Sequence, residues 1–188
     1  MFHVKQQTTI AMNKDLLLSN LRNIPDFPIP GIQFKDVTSL FKNPACLQEL
    51  DNTLYEMYKE RGITKIVGIE SRGFVMAAAL AVKLNAGFVP IRKPGKLPAE
   101  TISESYGKEY GRDTIEIHKD AIDENDVVLI HDDLLATGGT MLAAYNLVKK
   151  LNPKKVYVNF LIELEGLKGR SNFPADAQID CLLTLEGK

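Results

Sequence analysis

Two adjacent carboxylates, Asp132 and Asp133, lie between an apolar run and a short segment of glycines and threonines. The apolar run spans residues 127–131, and the segment at residues 136–140 reads Ala-Thr-Gly-Gly-Thr. Glycines allow the backbone to turn so that several N–H groups point into one concavity at the start of a helix, and such a concavity binds phosphate. Each carboxylate can accept a charge-assisted hydrogen bond from a sugar hydroxyl. A phosphate site beside a diol site suits a ribose 5-phosphate.

The phosphate segment can gain further donors from the hydroxyls of Thr137 and Thr140. Since no lysine follows the glycines, it is not the P-loop of nucleoside triphosphatases, nor is it a G-x-G-x-x-G dinucleotide motif. Two other interpretations remain open. One is a structural turn, with glycines for packing and acids for solubility. The other is the metal-binding phospho-acceptor site of a receiver domain, against which the Ala-Thr-Gly-Gly-Thr run argues. His131 is expected to be a core residue rather than a base, because its side chain should alternate away from the site.

A second turn, with the sequence Glu-Ser-Arg-Gly-Phe at residues 70–74, can also bind an anion. It presents backbone N–H groups at the start of a helix, and Arg72 adds a guanidinium. Arg92, Lys93 and Lys96 follow the next predicted strand and would bring more positive charge to the same pocket. Each cation alone could equally be a solvated loop residue. Together with the phosphate segment, they predict two anion sites side by side.

These motifs must be held by a sheet in which strands alternate with helices. Runs rich in Val, Ile and Leu predict strands at residues 65–69, 88–92, 127–131, 156–162 and 181–185. Helical periodicity between them predicts helices at residues 74–84 and about 140–151. Buried strands separated by helices indicate an α/β fold, with a central, mostly parallel sheet flanked by helices on both faces. Ligands bind such sheets at the carboxyl ends of the strands, where both anion motifs fall.

The N-terminal part of the chain supplies helices and one irregular segment. Leucines at helical spacing predict a helix over residues 15–23, and Asn43-Pro44 predicts the start of a second helix that Gly62 closes. Prolines exclude a helix or a central strand over residues 24–31. Residues 1–12 carry no pattern and are interpreted as an N-terminal extension that is expected to be poorly ordered.

A long connection is predicted over residues 95–120, as a loop or a flexible hairpin. Gly107 and Gly111 flank a Lys-Glu-Tyr sequence within it. Connections of this length in compact domains are usually binding loops or lids. A lid would shield a charged ribosyl centre from water, which would otherwise hydrolyse it.

The composition excludes several classes of function. The 188 residues carry 23 basic and 24 acidic side chains, so there is no global attraction to nucleic acid or to an anionic membrane. The apolar runs are too short to span a bilayer, and residues 1–11 lack the features of a signal peptide. Two cysteines, Cys46 and Cys181, form neither a disulfide framework nor a zinc set. We therefore expect a cytoplasmic protein with no nucleic-acid or membrane partner.

Residues 132–140 resemble the phosphoribosyl pyrophosphate (PRPP) signature of the type I phosphoribosyltransferases, and the turn at residues 70–74 resembles that of the adenine-specific branch. The resemblance spans nearly all of residues 13–188, including Glu-Gly-Leu-Lys-Gly-Arg at residues 165–170. It implies the type I phosphoribosyltransferase fold in a single domain. It also implies that Asp132 and Asp133 bind the ribose hydroxyls. The 5′-phosphate would be bound by Ala136, Thr137, Gly138, Gly139 and Thr140, and the pyrophosphate by Ser71, Arg72, Gly73, Arg92, Lys93 and Lys96.

Two further segments resemble parts of the same family. Residues 105–111 are similar to its mobile catalytic loop, in which Glu109 aligns with the acid proposed to manage a purine proton. Residues 26–36 resemble its base-binding hood, formed here by about residues 24–40. Phe34 would stack on the purine, and the backbones of Gln33 and Lys35 would recognise its amino edge. Phe34 could instead be a core residue, with the prolines only routing the chain.

The resemblance implies an enzyme of purine salvage that joins adenine to PRPP, giving AMP and pyrophosphate. The expected mechanism is a Mg²⁺-assisted displacement at the anomeric carbon, in which Arg72, Asp132, Asp133 and Glu109 act as the catalytic residues. Mg²⁺ would be held mainly by PRPP and pyrophosphate oxygens and by water. The family also implies a homodimer in which the neighbouring subunit approaches the site. Two alternatives stay open: the same chemistry on another purine, and a PRPP-sensing regulator without catalysis.

Overall fold

The computed structural model describes residues 11–107 and 111–187. Within them the helices are α1 Lys14–Asn20, α2 Thr38–Phe41, α3 Pro44–Tyr58, α4 Gly73–Leu84 and α5 Gly139–Lys150. The strands are β1 Arg22–Pro25, β2 Gln33–Asp36, β3 Lys65–Ile69, β4 Gly87–Ile91, β5 Thr101–Gly107, β6 Arg112–His118, β7 Val127–Leu135, β8 Lys155–Leu164 and β9 Gln178–Leu185. In these ranges no helix combines the length and the apolar character that crossing a membrane requires.

A parallel sheet of five strands, in the order β4-β3-β7-β8-β9, forms the centre of the described structure. Its two faces bury separate apolar clusters. Leu54 of α3 and Leu80 of α4 belong to the cluster on one face, and Leu147 of α5 belongs to the cluster on the other. The predicted α/β architecture is therefore confirmed. Burial on both faces explains why the strands read as continuous apolar runs.

The start of α3 follows from its sequence. The side-chain oxygen of Asn43 accepts hydrogen bonds from the backbone N–H groups of Ala45 and Cys46, which have no partner within the helix. Pro44 occupies the first helical position, where its lack of an N–H costs nothing. The predicted start is confirmed, whereas the helix ends at Tyr58, before Gly62.

Two predicted boundaries are wrong because strand pairing overrides the local pattern. The first helix ends at Asn20 rather than at residue 23, since Arg22–Pro25 pairs with β2 as an antiparallel hairpin. Strand β7 continues past residue 131 to Leu135, because β8 is long enough to pair with it as far as Glu163. Asp132 and Asp133 therefore lie within the strand, near its carboxyl end.

The long connection at residues 95–120 contains an antiparallel hairpin of β5 and β6, paired from Thr101–His118 to Gly107–Arg112. Ile115 and Ile117 of β6 are buried in the same apolar cluster as α5. These two side chains fix one arm of the hairpin to the body of the protein. Residues 108–110, which include Glu109, lie outside the described residues.

Candidate active site

Two adjoining cavities lie at the carboxyl ends of β3 and β7. One has a volume of about 360 Å³ and the other about 230 Å³. Both are lined by Arg72, Asp132, Asp133 and Thr140. The larger cavity is completed by Ile69, Glu70, Ser71, Ile91, Arg92, Lys93, Tyr106 and Ile115. The smaller one follows residues 134–141 and reaches Phe160. The two predicted anion sites thus open into one continuous cleft.

The phosphate cradle, defined as residues 136–140, connects β7 to α5. Gly138 has φ 81° and ψ −2°, a left-handed conformation that glycine adopts without steric cost. Helix α5 starts at Gly139, directly after this turn, so its first N–H groups are free of partners within the helix. The cradle lines the smaller cavity, as the sequence predicts for a phosphate site.

The turn between β3 and α4 packs tightly against β7. A side chain on Gly73 would approach the carbonyl oxygen of His131 to 2.8 Å and Oδ1 of Asp132 to 3.0 Å. Glycine at this position lets the start of α4 lie directly beside the carboxylates. Gly73 therefore acts through close packing, whereas Ser71 and Arg72 line the cavity itself.

Asp132 and Asp133 form a crowded carboxylate pair. Asp133 is 2% exposed, and its Oδ2 lies 2.6 Å from Nε of Arg72. Burial raises the pKa of Asp132 well above its ordinary value, and the neighbouring Asp133 raises it further. Burial also raises the pKa of Asp133, while Arg72 opposes this shift. Because the ionised pair is costly here, hydroxyl donors or a cation beside it would be bound favourably.

Three of the basic residues predicted for the second anion site, namely Arg92, Lys93 and Lys96, contact the carboxylate of Glu70. Its carboxylate contacts Nη2 of Arg92 at 3.2 Å and Nζ of Lys96 at 2.7 Å, and it accepts the backbone N–H of Lys93 at 3.1 Å. The hydrogen bond from Lys96, followed by those from Arg92 and Lys93, lowers the pKa of Glu70 to about 2. Lys93 itself forms an ion pair with Asp113 of β6. We call Arg92, Lys93 and Lys96 the cation cluster.

Tyr106 brings the β5–β6 hairpin into the site. Its hydroxyl accepts a hydrogen bond from Thr140 at 3.0 Å and donates one to Oδ2 of Asp113 at 3.3 Å. Its ring lies 3.8 Å from the position of a side chain on Gly139. Sequence reasoning missed Tyr106, Asp113 and Glu70 as site residues. Tyr106 and Glu70 lay inside recognised segments, whereas only the pairing of β5 with β6 brings Asp113 to the cleft.

The β1–β2 hairpin carries the residues predicted to bind a base. Phe34 lies edge-on to Phe27, with ring centroids 5.1 Å apart, and the guanidinium of Arg72 lies 5.8 Å from the centre of the Phe34 ring. The side chains of Gln33 and Lys35 both contact Asn23, at 2.6 Å and 2.9 Å. Since strand side chains alternate, Phe34 faces away from these contacts. Phe34 lines neither cavity, but its ring lies beside Arg72, which lines both.

His131 is a core residue, as predicted. It is fully buried, and its Nδ1 lies 2.8 Å from Oδ1 of Asn159 on β8. Burial lowers the pKa of His131 to about 4, so the ring is neutral at pH 7. Its side chain belongs to a polar contact inside the sheet, not to the cleft.

Comparisons with a family model, with curated sequences and with solved structures all find phosphoribosyltransferases. The family model described as a phosphoribosyl transferase domain matches residues 36–179. The adenine phosphoribosyltransferase of Bacteroides thetaiotaomicron is 70% identical over 176 residues, which are 94% of this chain and 100% of the relative. The crystal structure of adenine phosphoribosyltransferase from Rhodothermus marinus is similar, with a TM-score of 0.85 and 51% identity, over 91% of this chain and 97% of that one. The crystal structure of the Saccharomyces cerevisiae adenine phosphoribosyltransferase, solved with adenine and an iminoaltritol bisphosphate, has a TM-score of 0.84 and 44% identity. The match covers 90% of this chain and 97% of that one.

Proposed function

The chain belongs to the phosphoribosyltransferase family, and we propose that it transfers the 5-phosphoribosyl group of PRPP to adenine, giving AMP and pyrophosphate. The observation that carries this proposal is the shared wall of the two cavities. Arg72, Asp132 and Asp133 lie between the phosphate cradle and the cation cluster. A sugar that carries a phosphate at one end and a pyrophosphate at the other has groups to match each part. The 70% identity to an adenine phosphoribosyltransferase supports adenine as the base.

PRPP is proposed to span the cleft. Its 5′-phosphate would accept hydrogen bonds from the backbone N–H groups of the phosphate cradle and from the hydroxyls of Thr137 and Thr140. The ribose hydroxyls would donate to Asp132 and Asp133, which relieves the cost of burying these carboxylates. The pyrophosphate would bind the turn at Ser71, Arg72 and Gly73, together with the cation cluster.

Phe34 is the proposed platform for adenine. An aromatic ring stacked on a purine contributes about 1–3 kcal/mol per base. Backbone groups of Gln33 and Lys35 would pair with the amino edge of the base, since the side chains of both residues are engaged with Asn23. A 6-oxopurine would leave an acceptor opposite an acceptor, a mismatch that sites of this kind reject strongly.

The reaction is a displacement at the anomeric carbon. As the bond to pyrophosphate loosens, positive charge grows on the ribosyl group and negative charge on the leaving group. Arg72 and the cation cluster would stabilise the leaving group, and Asp132 and Asp133 would hold the sugar in position for attack by the purine nitrogen. The β5–β6 hairpin would limit access of water. Glu109 is proposed to act as the proton-transfer group for the purine. No covalent intermediate with the enzyme is required.

Mg²⁺ fits this cleft as an ion held mainly by the substrate. In the described part of the chain, no group of three or more His, Cys, Asp or Glu side chains could hold a metal. Asp132 and Asp133 nevertheless form a pair whose ionised state burial disfavours, and a nearby cation would offset that penalty. Bound to pyrophosphate and ribose oxygens and to water beside this pair, Mg²⁺ would neutralise the leaving group.

A homodimer remains part of the proposal. Val75 and Val82 on α4 and Phe88 on the edge strand β4 are exposed apolar side chains, and Val82 is 85% exposed. Val75 lies in the first turn of α4, directly after the turn that carries Arg72, so a second copy of the chain on this face would approach the site. We further propose that residues 13–188 form one domain, with a hood at about residues 24–40. A cytoplasmic location is proposed as well, with which the two free thiols are compatible.

The experiment that tests the reaction is an assay of pyrophosphate release from PRPP and Mg²⁺ with adenine, hypoxanthine, guanine or xanthine in turn. We expect release with adenine alone. Release with an oxopurine would overturn the choice of base but keep the reaction class. Retained PRPP binding without release for any purine would replace the enzyme by a ligand-sensing regulator.

A further inference from the structure

The outer side of the phosphate cradle is supported by a second segment of backbone. This segment is the 3-10 turn Gly169–Asn172, which we call the buttress. A side chain on Gly138 would lie 2.7 Å from the carbonyl oxygen of Gly169, and a side chain on Gly169 would overlap the carbonyl oxygen of Ala136. The two backbones are thus in direct contact. The cradle has the cleft on one side and the buttress on the other.

Asn172 is the side chain that connects the buttress to the cradle. Its Nδ2 donates a hydrogen bond of 2.8 Å to the carbonyl oxygen of Thr137. That carbonyl and the N–H of Gly138 belong to the same planar peptide unit, which is trans, so they point in opposite directions. A contact that holds the carbonyl toward the buttress therefore holds the Gly138 N–H away from it, toward the cleft.

The orientation of this peptide unit is not fixed by the local sequence. The φ and ψ angles of Gly138, 81° and −2°, are those of the third residue of a type II turn. Type I and type II turns differ mainly by a rotation of the central peptide unit, and glycine is compatible with both. A type I turn would exchange the positions of the carbonyl and the N–H, and an oxygen would then face the phosphate. The Asn172 hydrogen bond favours the type II form.

We propose that Asn172 is a positioning residue for the 5′-phosphate: by holding the Thr137 carbonyl, it directs the Gly138 N–H into the cradle. The inference rests on the proposed function, because it requires that a phosphate binds there. Asn172 itself is exposed and acts through the backbone, without contact to substrate.

The test is the equilibrium affinity for AMP, measured by calorimetry, together with steady-state kinetics. In Asn172→Ala we expect the Kd for AMP and the KM for PRPP to rise roughly 2- to 10-fold, the range for one hydrogen bond. The KM for adenine should not change. Asn172→Asp should be more severe, because a carboxylate would face the Thr137 carbonyl and repel it.

Ser171→Ala provides a matched control in the same turn. It removes the hydrogen bond of 2.7 Å from Ser171 to the carbonyl of Lys168 and leaves the contact to the cradle intact. Its affinity for AMP should equal that of the wild type, and its thermal stability should match that of Asn172→Ala. Equal AMP affinity in the wild type and both Asn172 variants would overturn the proposal. The proposal would also be overturned if the KM for adenine rose as much as the KM for PRPP, because this would indicate that the whole active site had become less ordered. A wild type that binds neither AMP nor PRPP would instead overturn the proposed function.

Discussion

The hydroxyl of Thr140 donates a hydrogen bond of 3.0 Å to the hydroxyl of Tyr106, which joins the first turn of α5 to the β5–β6 hairpin. Tyr106 in turn donates to Asp113, and Asp113 forms an ion pair with Lys93. The hairpin therefore contacts both the phosphate cradle and the cation cluster. A hydroxyl group has one proton to donate, so a phosphate in the cradle competes with Tyr106 for Thr140.

Removing the Tyr106 hydroxyl should strengthen phosphate binding. Tyr106→Phe keeps the ring beside Gly139 but frees the Thr140 proton, and we expect the Kd for AMP to fall about 2- to 10-fold, the equivalent of one hydrogen bond. Calorimetric titration measures it. Ser105→Ala, which removes the 2.8 Å contact with Thr114 in the same hairpin, should leave AMP affinity unchanged. Weaker AMP binding in Tyr106→Phe would mean that the hydroxyl assists the phosphate instead.

Replacing Asp132 should separate activity from stability. Asp132→Asn keeps the shape of the side chain but removes the carboxylate that we propose accepts hydrogen bonds from the ribose hydroxyls, so kcat/KM should fall roughly 10- to 100-fold. In the wild type, burial raises the pKa of Asp132, which means that its ionised form is less favourable in the folded chain than in the unfolded chain. The free energy of unfolding at pH 7 should therefore stay equal or increase. Urea denaturation and the pyrophosphate assay measure the two effects. Unchanged kinetics would remove Asp132 from the ribose site.

The alternation of strands and helices could be read from the sequence because each element carries its own local signal. The position of Asp132 and Asp133 beside a glycine-rich turn predicted the cleft for the same reason. The contacts of Asp113, Tyr106 and Asn172 could not be predicted. Each depends on elements far apart in the chain, namely β6 against β4, β5 against α5, and the buttress against the cradle. Periodicity contains no information about such pairs.

The buried pair of His131 and Asn159 should make stability depend on pH. The pKa of His131 in the folded protein is about 4, below the ordinary value of about 6.5 in an unfolded chain. Between these values the unfolded chain binds a proton that the folded protein does not. The contribution of His131 to the free energy of unfolding should therefore fall as the pH decreases from 6.5 to 4, by up to about 3 kcal/mol, while the raised pKa of Asp132 acts in the opposite direction.

A single and a double variant test the assignment of this pH dependence to His131. His131→Val alone leaves the buried Oδ1 of Asn159 without its His131 partner, whereas His131→Val with Asn159→Val replaces both polar groups by apolar ones. We expect the double variant to be more stable than the His131→Val single variant, and both to lose the contribution of His131 to the pH dependence between 6.5 and 4, so that their free energies of unfolding fall less than that of the wild type. Urea denaturation at several pH values measures this. A pH dependence in His131→Val equal to that of the wild type would contradict the assignment to His131.

The exposed apolar face of α4 is expected to be the interface of the proposed homodimer. Val82→Glu introduces a charge at a side chain that is 85% exposed in one subunit, so it should leave folding intact but disfavour burial against a second copy. Sedimentation velocity should then show a monomer where the wild type is a dimer. Asn146→Glu, at an exposed position of α5, is the control for one added negative charge. An unchanged dimer in Val82→Glu would exclude this face as the interface.

Phe34 should govern binding of the base more than binding of PRPP. Phe34→Leu removes the aromatic platform, and we expect the KM for adenine to rise at least about 5-fold, since stacking contributes about 1–3 kcal/mol per base. The ring also lies 5.8 Å from the Arg72 guanidinium, a contact worth about 0.5–1 kcal/mol when exposed, so the KM for PRPP should rise only about 2- to 5-fold. Phe34→Tyr keeps the ring, so its KM for adenine and its KM for PRPP should both equal those of the wild type. An adenine KM that is insensitive to Phe34→Leu would mean that the base binds elsewhere in the cleft.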